Sequence, residues 1–157
     1  PPTAEQAAAI VGIEAAVVPT KTVPEGVAAI LAFNPEAEVS ANAKSMTEAA
    51  SYVKTGQVTT AVRDTSIAGI EIKKNDYMGI SEGKIVTSAP SLEDVMKTIL
   101  TSTIDEDAEI VTILYGEDVT AEEASAIERY VEDNFKHVEV ELYNGKQPLY
   151  PYIISVE

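Results

Sequence analysis

The sequence predicts a mixed α/β (α+β) fold in two lobes, a mixed sheet flanked by helices, with the first lobe incomplete. Three observations lead there. Between residues 36–54 and 58–87 the apolar spacing changes from helical to a period of two. Residues 109–143 read strand, helix, strand, the order of a right-handed parallel unit. Residues 1–35 hold two helices around a single short strand, and one strand closes no sheet. The remainder of that lobe is therefore expected elsewhere in a larger protein. On this reading 1–35 is a partial first lobe and 36–157 a second lobe with a meander and a βαβ unit.

Each element has a local reason. Pro1-Pro2-Thr3 lead into Ala4–Val11, an alanine-rich helical run that Gly12 ends. Residues 15–18 form a continuous apolar run closed by Pro19 and read as a buried strand. Pro24 suits the first turn of a helix over 26–33, and Asn34-Pro35 stops it, since the residue before proline avoids the α region. Ala43, Met46, Ala50 and Val53 repeat at helical spacing until Thr55-Gly56. Val58, Thr60 and Val62 then alternate with Thr59, Ala61 and Arg63. Short strands follow at 70–73, 77–80 and 84–87, with turn signals at 68–69, 74–76 and 82–83, making an antiparallel meander.

Ser91, three residues before Asp94, opens a helix whose apolar face is Leu92, Val95, Met96, Ile99 and Leu100. A strand at 109–115 and a turn at 116–119 come next. Thr120 with Glu123 is a capping box for a helix whose apolar face is Ala124, Ile127, Val131 and Phe135. Residues 138–143 alternate as a strand, Asn144-Gly145 turn the chain, and 150–156 is the last strand.

Composition excludes whole classes of function. Hydrophobic residues make up 45% and charged residues 24% of the 157, a globular balance. The 26 acids against 11 Lys+Arg give a net charge of -15, so neither nucleic acid nor an anionic membrane surface is an expected partner. No apolar run is long enough to span a bilayer and no leader pattern opens the chain. Cysteine is absent, which removes disulfides, thiolate metal sites and a cysteine nucleophile and suits a cytoplasmic location. His137 is the single histidine, so multi-histidine zinc sites are excluded, and it reads as a surface residue after a helix. No phosphate loop, dinucleotide fingerprint or nucleophile elbow is present. Charge is uneven: residues 1–90 carry 10 acids and 7 bases, whereas 91–157 carry 16 and 4.

Three segments carry candidate chemistry. Arg63, Asp64 and Thr65 sit at a strand end, where Arg63 either grips a carboxylate or phosphate through its planar fork or pairs with one of many acids to fix a turn. Glu117 and Asp118 follow a central strand and precede a helix, where α/β sheets place ligands. They either bind magnesium or exchange protons, or they complement the helix N-terminus with Thr120 as cap. Gln147, Tyr150 and Tyr152 lie in a stretch stiffened by Pro148 and Pro151, which is a recognition loop or a connection into an edge strand. If Val62 points inward, Arg63 faces the other way, and Tyr150 and Tyr152 share one strand face.

TGQVTTAVRDT (55–65), EIKKNDYMGI (71–80), EIVTILYGEDV (109–119) and GKQPLYPYIISVE (145–157) resemble the C-terminal domain of the bacterial fatty acid kinase A family, and VVPTKTVPEGVAAILAFNP (17–35) is also similar. The family is related to dihydroxyacetone kinases and often carries the label DAK phosphatase. The resemblance implies a two-lobed DegV-like fold within a multidomain, ATP-dependent kinase. It places ATP and magnesium in a separate DhaL-type domain, and it implies no catalytic residue, cofactor or metal ligand in this chain. This domain would dock a fatty-acid-binding protein of DegV type, whose acyl carboxylate is phosphorylated for phospholipid synthesis. Other domains of the same kinase, and a second copy as a homodimer, are further expected partners. Thr60 stands where the family commonly has an aromatic, and Asn75 and Lys146 where it commonly has glycine.

Two other readings stand beside it. One is a stand-alone DegV-like binder of a lipid or small molecule, and the other a metal-dependent phosphatase using Asp64, Glu117 and Asp118. On the kinase-domain reading the chain binds no ATP, its acidic half steers a basic partner, and Arg63 with the 147–152 loop forms the contact surface.

Overall fold

A computed structural model of the chain describes residues 3–157, so the two leading prolines lie outside it. The chain divides after Val53 into two compact units. The first contains α1 (Ala4–Val11), α2 (Val23–Leu31) and α3 (Val39–Ser51). This boundary falls later than residue 35, because α3 packs on α2 and belongs with it. Thr3 and Gln6 form a capping box on α1, and Thr22 accepts the Glu25 N–H to cap α2 with Pro24 in its first turn. Asn42, 7% exposed, stitches the α2–α3 connection. Its side chain accepts the Asn34 N–H at 2.8 Å and donates to the carbonyls of Asn34 at 2.8 Å and Ala37 at 3.2 Å.

The expected strand at 15–18 does not form. No strand among the described residues pairs with it, and an unpartnered strand leaves its backbone groups without ladder bonds.

The second unit holds β1 (Lys54–Thr60), β2 (Thr65–Ile67), β3 (Ile70–Ile72), β4 (Tyr77–Ser81), β5 (Lys84–Ala89), α4 (Leu92–Thr103), β6 (Ile110–Tyr115), α5 (Ala121–Asn134), β7 (Glu139–Asn144) and β8 (Tyr152–Val156). Six strands form a mixed sheet in the order β5-β4-β1-β8-β6-β7. β6 and β7 pair in parallel through the α5 crossover, and every other neighbour in the sheet is antiparallel. The expected meander is thus split. β3 leaves the main sheet and pairs with β2 as a separate hairpin, turned by Ala68 and Gly69 with φ of 51° and 81°. Two successive positive φ values match the twist of such a hairpin. Asn75 and Lys146 both adopt left-handed φ, 72° and 54°.

Gly56 does not end a helix; it sits inside β1. A Cβ there would lie 2.5 Å from Ile154 Cγ1 and 3.3 Å from Thr103 Oγ1, so the missing side chain lets α4 approach the sheet. α4 packs on β1, β4 and β5, and α5 on β7. The core between helices and sheet comprises Val95, Met96, Ile99 and Leu100 from α4, Ala124, Ile127 and Val131 from α5, and Val58, Val111, Ile113, Tyr152 and Ile154 from the strands. Each large side chain enclosed there contributes about 1.5–3 kcal/mol. Ser91 caps α4, and the Thr120–Glu123 box caps α5, as the spacing predicts.

Candidate functional site

The strand register gathers the three candidate segments at one end of the sheet. β1, β6 and β7 finish there, while β4 and β8 begin: Thr60 lies opposite Tyr77, Val58 opposite Tyr152, and Tyr115 opposite both Tyr152 and Asn144. Residues 61–64, 73–76, 116–120 and 145–151 crown this end, with the β2–β3 hairpin extending from it. Open sheets commonly place ligands outside the carboxyl ends of their strands.

The 145–151 loop is sewn to the end of β6. Gln147 Nε2 donates to the carbonyls of Leu114 at 3.0 Å and Tyr150 at 3.1 Å. The Gly116 N–H donates to Pro151 O at 2.8 Å, the Glu117 N–H to Gln147 O at 3.2 Å, and the Gly145 N–H to Tyr115 O at 3.0 Å. A Cβ on Gly116 would meet the Tyr150 and Gln147 carbonyl oxygens at 2.6 and 2.7 Å, so only glycine permits this approach. Gln147, expected as a recognition residue, is half-buried and spends its amide holding the loop. Thr59 Oγ1 donates to Leu149 O at 3.0 Å, tying the loop to β1 as well.

The segment after β1 is held differently. Ala61 exchanges backbone hydrogen bonds with Asp76 and Asn75, each at 2.8 Å, and Asp64 Oδ1 accepts the Lys74 N–H at 2.7 Å. Asp64 therefore fixes a turn. Arg63 lies in a bend beyond β1 rather than on its end, exposed, and makes no ion pair among the described residues. Val62 does not point inward but is 83% exposed. Thr65 is exposed on β2.

Glu117 and Asp118 are exposed in the turn before α5. Glu123 accepts the Thr120 N–H at 2.9 Å and hydroxyl at 2.7 Å, and these bonds hold its carboxyl below the usual range. Among the described residues no group of three acidic or histidine side chains could hold a metal ion. Tyr150 and Tyr152 do not share a displayed face. Tyr150 is half-buried before the strand, and Tyr152 is a core residue, 1% exposed. Burial, and then the nearby Glu123 carboxylate, push its hydroxyl up to about 12. His137 is exposed, with Nε2 2.9 Å from Asp105 O.

Sequence reasoning passes over the apolar part of this end. Val62, next to Arg63 in the chain, Ile67 and Leu149 are all exposed, with Leu149 at 77%. Leu149 also holds a φ of 68°, a left-handed conformation that disfavours a bulky side chain. Alternation mistakes Val62 for an inward strand position, and nothing in a Pro-Leu-Tyr-Pro string announces the positive φ.

Among the described residues no helix is long and apolar enough to cross a membrane. The family model for the FakA-like (fatty acid kinase A-like) C-terminal region matches residues 2–157. Protein YloV of Bacillus subtilis is 50% identical over 154 residues, which are 98% of this chain and 28% of that protein. An uncharacterized protein of Staphylococcus haemolyticus is 44% identical over 153 residues, again 98% and 28%. The chain thus spans under a third of the length of these relatives. In fold it is similar to a DegV family protein of Ruminococcus gnavus, described with vaccenic acid. The TM-score is 0.52 at 14% identity, over 85% of this chain and 54% of that one.

Proposed function

This chain belongs to the FakA-like C-terminal family of fatty acid kinases, and from that premise we propose that it is an accessory domain which docks a fatty-acid-binding protein of DegV type. Phosphorylation of the acyl carboxylate, with ATP and magnesium, belongs on this reading to a separate DhaL-type domain. The observation that carries the docking surface is the exposure of Val62 and Leu149, at 83% and 77%, with Val62 next in the chain to an arginine that makes no ion pair among the described residues. Thr59, in β1 just before the Val62–Arg63 bend, holds the 145–151 loop through the Leu149 carbonyl. Arginine and enclosed apolar anchors are the groups that dominate interface energy. The strain held at Leu149 keeps an apolar side chain in solvent, which a purely structural loop has no reason to do.

The test is calorimetric titration of a DegV-type partner into the chain and its variants Arg63→Ala, Val62→Ser and Leu149→Ser. At least one should lose about 2 kcal/mol of binding with an unchanged melting temperature. Full affinity in all three would sink the docking surface. The 16 acids in residues 91–157 should also speed association with a basic partner at low salt. The advantage should fade as the Debye length shortens to about 8 Å near physiological ionic strength. The same calorimeter should record no heat of Mg-ATP binding.

A further inference from the structure

We propose that the groove between α4 and α5 is a binding site for a compact amphipathic monoanion. Arg129 holds its carboxylate at the rim, Leu92, Ala126 and Ile127 enclose an apolar body, and the Tyr152 hydroxyl donates to a neutral oxygen at the deep end. The site lies on the helix-covered face of the sheet and is independent of the docking loops.

The groove is a cavity of about 460 Å³, within the range of small-molecule sites. Tyr152 lines it while only 1% exposed, and its hydroxyl has no hydrogen-bond partner among the described residues. Ser88 Oγ is the one sealed, unpartnered side-chain oxygen among the described residues, so the Tyr152 hydroxyl is not sealed off and can donate into the groove that it lines. The Glu123 carboxylate beside it repels an anion at depth, and the phenol stays protonated as a donor. A neutral acceptor oxygen satisfies both conditions.

The charges around the opening divide unequally. Glu93 is engaged by Lys97 at 2.5 Å, Glu123 by Thr120, and Asp133 by Lys136 at 3.7 Å. Lys97 also stands 5.2 Å from the centroid of the Tyr130 ring. Arg129 is exposed and has no ion pair among the described residues. Lys97 and Arg129 are two of only four bases in residues 91–157, and both line the groove beside its three carboxylates. The open valence is thus a guanidinium fork, which suits a carboxylate. The three lining carboxylates count against a dianion, and with it a phosphomonoester.

Para-acetylbenzoate carries all three features and serves as the probe. It is titrated into the whole chain and followed by amide NMR. Para-ethylbenzoate lacks the acceptor oxygen and para-acetylbenzamide lacks the charge. Saturable shifts are expected at Leu92, Ala126, Ile127 and Tyr152. Arg129→Ala, or the amide probe, should weaken binding by about tenfold. Tyr152→Phe, which keeps the core ring, should weaken para-acetylbenzoate several-fold while leaving para-ethylbenzoate unaffected. Equal affinity of the wild-type chain for all three probes would overturn the proposal. So would shifts centred away from these residues, or no saturable shift.

Discussion

Ile99, Leu100 and Ile154 in the second unit are fully enclosed, whereas Ile10, Leu31 and Phe33 in the first stand 82%, 81% and 54% exposed. The residue types are alike and both sets lie on or beside well-formed elements. What differs is the partner surface. α4 has a sheet beneath it, while α1 carries a complete capping box and a left-handed glycine cap yet buries none of its residues. Local signals are enough to start and stop a helix, but an eight-residue helix held by them alone is marginal in water. Burial, rather than propensity, is what separates the two units.

The sharpest way to break this comparison is amide hydrogen exchange. Amides of α1 should exchange almost freely, while those of β1, β8 and α4 should open only with global unfolding. Equal protection in α1 and α4 would dissolve the contrast. Next in size are core truncations. Tyr152→Ala or Leu100→Ala should cost about 2–5 kcal/mol in chemical denaturation, against less than about 0.5 kcal/mol for Leu31→Ala on the open side of α2.

Within the second unit, the crowning loops sharpen the same point. Gln147→Ala removes the amide that holds the 145–151 loop to Leu114 and Tyr150, and should cost about 1–2 kcal/mol. Leu149→Gly should stabilise by up to about 1 kcal/mol, since glycine accepts the φ of 68° without strain. A melting temperature that falls for Leu149→Gly would show the side chain to be structural.

The smallest effect is the α5 cap. The Glu123 carboxyl is held low by its bonds to Thr120, so its contribution is present above its unfolded value near 4.5 and lost as pH falls through the folded one. Glu123→Gln should flatten that part of the acid unfolding curve. An unchanged curve would remove Glu123 from the cap's energetics.

Elements with local causes are legible from the chain alone. Ser91 and Asp94 mark α4; Thr120 and Glu123 mark α5; the strand–helix–strand order foretells the parallel β6–β7 pair. The turn at Asn75 and the glycine cap of α1 are readable for the same reason. Each rests on a hydrogen bond or dihedral preference within a few residues. What depends on distant partners is not legible. The run at 15–18 has strand composition and no strand to pair with. Gly56 reads as a helix stop and is a gap for Ile154 and Thr103, residues far along the chain from it. Alternation assigns Arg63, Val62 and Tyr152 to faces, and it holds only while a strand continues. β1 ends at Thr60 before Val62 and Arg63, while Tyr152 turns inward at the start of β8.

By itself, then, the sequence determined the fold class, the family and the capped starts of α4 and α5, because periodicity and capping are short-range and survive in any context. The tertiary structure decided which side chains face water. It placed Leu149 and Val62 outside and Tyr152 at the floor of a groove, since exposure depends on what long-range pairing sets against each residue.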